Sequence, residues 1–219
     1  MTRPEKLYTL FCVFFSTLTV IGNVTFQKFV TLPLGSFHTF TLSVGAIIYP
    51  FTFLVMDLMT EFFGREKASL CILLSMGMNV LCALLIFGMD SLTATAWSVV
   101  DDATFHKVYG LYGLAFFGSI VALYIAQKLD IVLYLWIRRF THNRFLWLRS
   151  SGSTAISLFL DTCVVIGILT FFHILPRAEM GTLIIGSYLF KAFATFLSIP
   201  FFYLCVWAVR RFIFIPQHG

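Results

Sequence analysis

Tyr49-Pro50-Phe51-Thr52-Phe53-Leu54-Val55-Met56-Asp57-Leu58-Met59-Thr60-Glu61-Phe62-Phe63-Gly64 is the stretch that decides what kind of molecule this chain makes. Asp57 and Glu61 stand four apart, so on a helix they share one face. The residues before them are almost unbroken apolar, which puts that face in or beside lipid. An acidic side chain at the centre of a bilayer costs about 2.5–3.5 kcal/mol or more unless it is paired, protonated or wetted. A chain that carries such groups is expected to handle a polar solute inside a membrane.

Composition agrees. Of 219 residues, 59% are hydrophobic and 11% charged, against roughly a quarter charged in soluble domains. Mean hydropathy is +0.93. The expected class is an all-α integral membrane protein forming one domain over residues 1–219. The net charge of +5 does not point to nucleic acid, because the basic residues form no single binding face. Cys12, Cys71, Cys82, Cys163 and Cys205 all fall in apolar runs without metal-type spacing, and read as small core or lipid-facing residues.

Crossing a bilayer takes about 20 apolar residues. Six stretches qualify: 7–27, 38–62, 68–89, 108–128, 154–174 and 183–209. With the N-terminus inside, ten basic residues lie on cytoplasmic segments: Arg3, Lys6, Arg65, Lys67, Arg138, Arg139, Arg144, Arg149, Arg210 and Arg211. Three lie outside, Lys28, Lys107 and Arg177. That bias predicts both termini in the cytoplasm. Arg138 to Arg149 reads as the main cytoplasmic loop, in contact with anionic lipid, and 90–107 as a cap over the outer mouth.

The polar residues inside the spans are few. Asn23, near the outer end of the first span, fits an interhelical hydrogen bond or a ligand contact equally well, and Asn79 fits a helix–helix bond. Pro50 frees the carbonyl of Ala46 and predicts a kink; Pro200 interrupts the last span. Glu61 is either interfacial, near Arg65 and Lys67, or functional. Gly118, Ala122 and Ala126, four apart, mark a close-packing face that continues to Asp130, with Gln127 on the same side. Ser153-Thr154 reads as the cap of the fifth span, with Ser157 and Asp161 following at four-residue spacing. Asp161 and Lys191 approach mid-membrane from opposite directions and can form a buried pair, either structural or part of a site.

Enzyme chemistry has little support: there is no H-E-x-x-H, no phosphate-cradling glycine loop, and no histidine close in depth to Ser157 and Asp161. No cofactor is implied, and ligands for a metal are absent at workable spacing. A flat, nitrogen-rich heterocycle suits the residues better. A carboxylate accepts two adjacent N–H groups, an amide pairs a mixed edge, and Phe and Tyr stack on the ring.

Several motifs occur in order: Tyr49-Pro50-Phe51, Asp57 and Glu61-Phe62-Phe63-Gly64; Ala126-Gln127-Lys128-Leu129-Asp130; Leu146-Trp147-Leu148-Arg149; Gly152-Ser153-Thr154; Asp161-Thr162; Tyr188-Leu189-Phe190-Lys191; Pro200 and Tyr203. Together they resemble the queuosine precursor transporter family, also grouped as vitamin-uptake-like proteins, over roughly Asn23 to Tyr203. Leu158 departs from a glutamine common there. The resemblance implies a fold similar to the substrate-binding components of energy-coupling-factor importers. It implies uptake of queuine or related 7-deazaguanines across a bacterial inner membrane for tRNA modification. On that reading Asp57 and Gln127 read the base edge, and Asn23, Asp130, Asp161 and Lys191 line or support the site. Glu61, Pro50 and Pro200 belong to coupling or gating. The alternative is a capture component that needs separate ATPase subunits, against which the first span's lack of an Ala-x-x-x-Ala patch argues weakly. Coupling subunits and a homodimer both stay open as partners.

Overall fold

The computed structural model describes residues 2–34, 38–110, 113–142, 144–173 and 175–214. Helix α1 spans Arg3–Thr25, strands β1 Phe29–Leu34 and β2 His38–Ser43, and helix α2 Val44–Asp90. Then come a single turn α3 (Asp102–Phe105) and the long helices α4 (Gly113–Phe140), α5 (Leu146–Phe171) and α6 (Met180–Val209). Among the described residues five helices are long and apolar enough to cross a membrane, with α2 counted once.

Helix α2 has 47 residues and would be about 70 Å long if straight. It is not straight. Gly64 has φ 77° and ψ −177°, outside helical geometry, in a region that only glycine enters without strain. On either side of that corner the chain runs in opposite directions along α1. Gly45 and Tyr49 lie against Gly22, while Thr19 bonds Ser75 at 2.7 Å and Asn23 bonds Asn79 at 2.9 Å. Near the corner the Tyr8 hydroxyl donates to the Lys67 carbonyl, and its ring meets Phe63 edge-on. The expected spans 38–62 and 68–89 are therefore one element folded back on itself at Gly64. Pro50 and Pro200 both sit inside continuous helix.

Other boundaries also move. Residues 38–43, expected to open the second span, are a strand paired antiparallel with β1, Val30 opposite Leu42 and Leu32 opposite Phe40. The hairpin is a small addition to a fold otherwise built of long helices. The alternation His38-Thr39-Phe40-Thr41-Leu42-Ser43 has period two, and it buries Phe40 and Leu42 on one face. Gly186 of α6 lets that strand approach, since a Cβ there would lie 2.9 Å from the Thr41 carbonyl oxygen. Helix α5 starts at Leu146 rather than at Ser153, which lies well inside it and is buried. Helix α4 runs on to Phe140, so Gln127 and Asp130 are mid-helix. The loop expected over 138–149 shrinks to the short connection after Phe140, and Arg149 is helical and 3% exposed. Residues 90–107, expected to cap the outer mouth, build α3 and a turn tied to the end of α2 through Asp90 and His106.

The small-residue face of α4 packs as expected. Ala122 and Ala126 are buried, and a Cβ on Gly118 would lie 2.8 Å from an Ile168 methyl of α5. Asn79 likewise bonds across helices, donating to Thr19 at 3.0 Å while its carbonyl accepts from Asn23. Such interhelical bonds contribute about 0.6–2 kcal/mol each in lipid. Contacts gather the basic residues at one end: Arg3 reaches the Phe212 carbonyl, Tyr8 reaches Lys67, and Glu61 meets Arg138, Arg149 and Arg210. The β-hairpin lies at the opposite end.

Candidate functional site

Three layers follow one another between the hairpin end and the basic end, built by α2 up to Gly64, α4, α5 and α6. Helix α5 supplies the spine, because Arg149, Ser150, Ser153, Thr154, Ser157, Asp161 and Thr162 are all buried. A helix presenting so many polar groups inward can do so only where neighbouring helices or a solute meet them.

At the hairpin end is a small cavity of about 50 Å³, below the size of a drug-sized ligand site. Tyr49, Ser119, Asp161, Thr162, Ser187 and Lys191 are among its polar lining, and Phe26, Phe29 and Ile166 among its apolar walls. The Lys191 ammonium donates to Asp161 Oδ2 at 2.9 Å and to the Thr162 hydroxyl at 3.2 Å, and stands 4.4 Å from the centre of the Tyr49 ring. The buried pair expected from opposite helices is thus formed. Asp161 Oδ1 has no hydrogen-bond partner among the described residues. The site offers an ion pair, an aromatic face and several hydroxyls in one enclosure.

Beneath it, Phe53, Leu123, Ala126 and Leu158 pack with Tyr49 into an apolar layer. Leu158 is wholly buried there. Below that layer a second polar group sits on α5. Ser150 donates to Asp57 Oδ2, and Thr154, one turn further along, donates to Asp130 at 3.3 Å. Asp57 and Asp130 are 2% and 1% exposed, and neither is in an ion pair among the described residues. Both ends of the Gln127 amide, Asp57 Oδ1 and the Ser157 hydroxyl also have no protein partner among the described residues. Asn23 stands apart from both groups. Its amide donates to Asn79 and its carbonyl accepts from Ser119 at 2.9 Å, so it braces one wall of the cavity through Ser119.

The basic end is closed by Glu61, whose carboxylate is 3% exposed. Arg149 and Arg210 each reach Oε1 at 2.8 Å, Arg138 approaches Oε2 at 3.6 Å, and the Tyr134 hydroxyl donates to Oε2 at 3.1 Å. One side chain of α2 thereby fastens α4, α5 and the end of α6. Among the described residues the ion pairs of Glu61 run to Arg138, Arg149 and Arg210 rather than to Arg65 and Lys67. Sequence reasoning missed Ser150, Tyr134 and Arg149 as members of these groups. For Ser150 the signal was its four-residue spacing to Thr154; for Tyr134 and Arg149 no local signal exists.

The sequence profile of a family described as "putative vitamin uptake transporter" matches residues 43–205. A "Probable queuosine precursor transporter" of Bacillus subtilis (strain 168) is 28% identical over 186 residues, which is 84% of this chain and 78% of that protein. No solved structure matches the chain.

Proposed function

This chain belongs to the family described as "putative vitamin uptake transporter", and from that premise we propose that it imports queuosine precursors, queuine or a related 7-deazaguanine. It is a multi-pass membrane protein with a transport role for vitamin-like solutes. The finer reading has six crossings, because α2 doubles back at Gly64, and both termini in the cytoplasm of a bacterial inner membrane. The cavity then opens toward the outside and the Glu61 cluster closes the inside.

The observation that carries the reading is the buried cluster of Asp161, Lys191 and Tyr49, whose small cavity has to widen to admit a ring. A 7-deazaguanine presents adjacent N–H donors and a carbonyl on one edge of a flat ring. Asp161 Oδ1 accepts such N–H groups, Lys191 donates to the carbonyl, and Tyr49 and Phe29 bound the ring's faces. Asp57, Gln127 and Asp130 form the next station, reached when the layer of Phe53, Leu123 and Leu158 parts. Alternating access then requires Glu61 to release its arginines. Flexing of α2 and α6 near Pro50 and Pro200 belongs to the same step.

The test is labelled queuine uptake into cells lacking their own importer. The wild-type chain accumulates it, and Asp161→Asn and Asp57→Asn each lower uptake at least tenfold with unchanged membrane abundance. Wild-type uptake in both variants removes the site assignment. No uptake of any 7-deazaguanine by the wild-type chain removes the substrate.

A further inference from the structure

A second built site lies away from the cavity, at the basic end. A groove of about 530 Å³ is lined by Arg144, Arg149, Arg210 and Arg211 together with Tyr203 and Trp207. Among the described residues no acidic side chain lines it. Glu61 binds Arg149 and Arg210, whereas Arg144 and Arg211 are in no ion pair among the described residues. Arg149 is a buried member, with 4% of its side chain exposed, so the groove has a fixed charged wall rather than solvated arginines alone. Four guanidiniums around one concavity call for an anion, and guanidinium is the group best matched to phosphate oxygens.

What surrounds the arginines selects the kind of anion. From Arg211, one face of α6 runs through Trp207, Leu204, Leu197 and Phe193, at helical spacing. These four are 59%, 56%, 60% and 40% exposed. Trp207 to Phe193 covers about 21 Å of helix, enough for the depth of one leaflet, about 15 Å. A free phosphate has no use for that stripe. An acyl chain does.

We infer that this groove binds the headgroup of an anionic phospholipid, with the phosphate on Arg144 and Arg211 and an acyl chain along Trp207 and Leu204. Each arginine near an anionic headgroup contributes roughly a fivefold preference, so the pair contributes about 25-fold. The lipid supplies counter-charge that Glu61 alone does not, and it sits beside the cluster that closes the basic end. The inference does not depend on which solute is carried.

Fluorescence quenching by brominated lipid tests it in the full chain reconstituted in phosphatidylcholine vesicles. Brominated phosphatidylglycerol, added as a minor component, quenches more than brominated phosphatidylcholine at the same fraction, and Trp207→Phe removes that difference. The Arg144→Gln/Arg211→Gln double variant, whose replaced side chains are both exposed, loses the selectivity about 25-fold while keeping its helical circular dichroism. Millimolar inorganic phosphate leaves the quenching unchanged. Equal quenching by the two lipids overturns the proposal, as does selectivity that survives the double variant. Displacement by inorganic phosphate overturns the lipid assignment in favour of a soluble anion.

Discussion

Replacing Lys191 by methionine keeps an unbranched side chain, one heavy atom shorter, and removes its charge. In the structure that charge lies 2.9 Å from Asp161 Oδ2, with the two side chains 6% and 0% exposed. The substitution leaves a carboxylate without counter-charge where little water reaches. Breaking a buried pair from one side costs about 3–5 kcal/mol, a large share of a total stability of about 5–15 kcal/mol. Removing both charges, in Asp161→Asn/Lys191→Met, costs less than Lys191→Met alone, because no isolated charge remains. Thermal unfolding in detergent of the wild type, both single variants and the double variant gives the coupling, expected at about 2 kcal/mol or more. A coupling below about 0.5 kcal/mol, the size found for independent sites, refutes the argument. Uptake separates a strut from a grip. A charged hydrogen bond to solute of about 1.5–3 kcal/mol predicts a roughly ten- to hundredfold loss of apparent affinity in single and double variants alike. If the double variant recovers wild-type uptake along with its stability, the pair only holds helices together.

Two further outcomes follow from the same geometry. Gly64→Ala puts a β-carbon on a backbone at φ 77° and ψ −177° with nothing within 4 Å of it, so the cost is pure backbone strain. It is expected at about 1–3 kcal/mol, read as a lower unfolding temperature; an unchanged midpoint contradicts the corner. Arg149 and Arg210 reach Glu61 at the same 2.8 Å, yet their side chains are 4% and 60% exposed. Arg149→Gln is therefore expected to cost about 3–5 kcal/mol and Arg210→Gln about 0–1 kcal/mol. Equal costs in thermal unfolding contradict burial as the deciding factor.

Much of this molecule was legible along the chain because hydropathy and periodicity are local properties. A long apolar run becomes a helix in lipid whatever its neighbours do, since its backbone groups have no other partners there. The stripe Gly118, Ala122, Ala126 announced a close contact in the same way, and Asp161 and Lys191 announced each other as costly charges at similar depth. The errors fell where two local signals competed. Residues 38–43 alternate with period two but also open a long apolar run, and the two patterns point to different elements. Ser153 has the chemistry of a cap, yet the helix had already begun at Leu146.

Choice of partner was decided only in three dimensions. Glu61 meets Arg149 and Arg210 across 88 and 149 residues of chain, although Arg65 and Lys67 are its neighbours in sequence. The apolar layer that separates the Asp161 cavity from Asp57 and Asp130 draws on α2, α4 and α5 together. Side chains interact over a few ångströms, so which distant residues meet is a property of how the helices pack. The sequence by itself determined that costly charges are carried into the membrane and which end of the bundle is basic. Packing alone decided which of those charges are neutralised, and which are left facing a cavity.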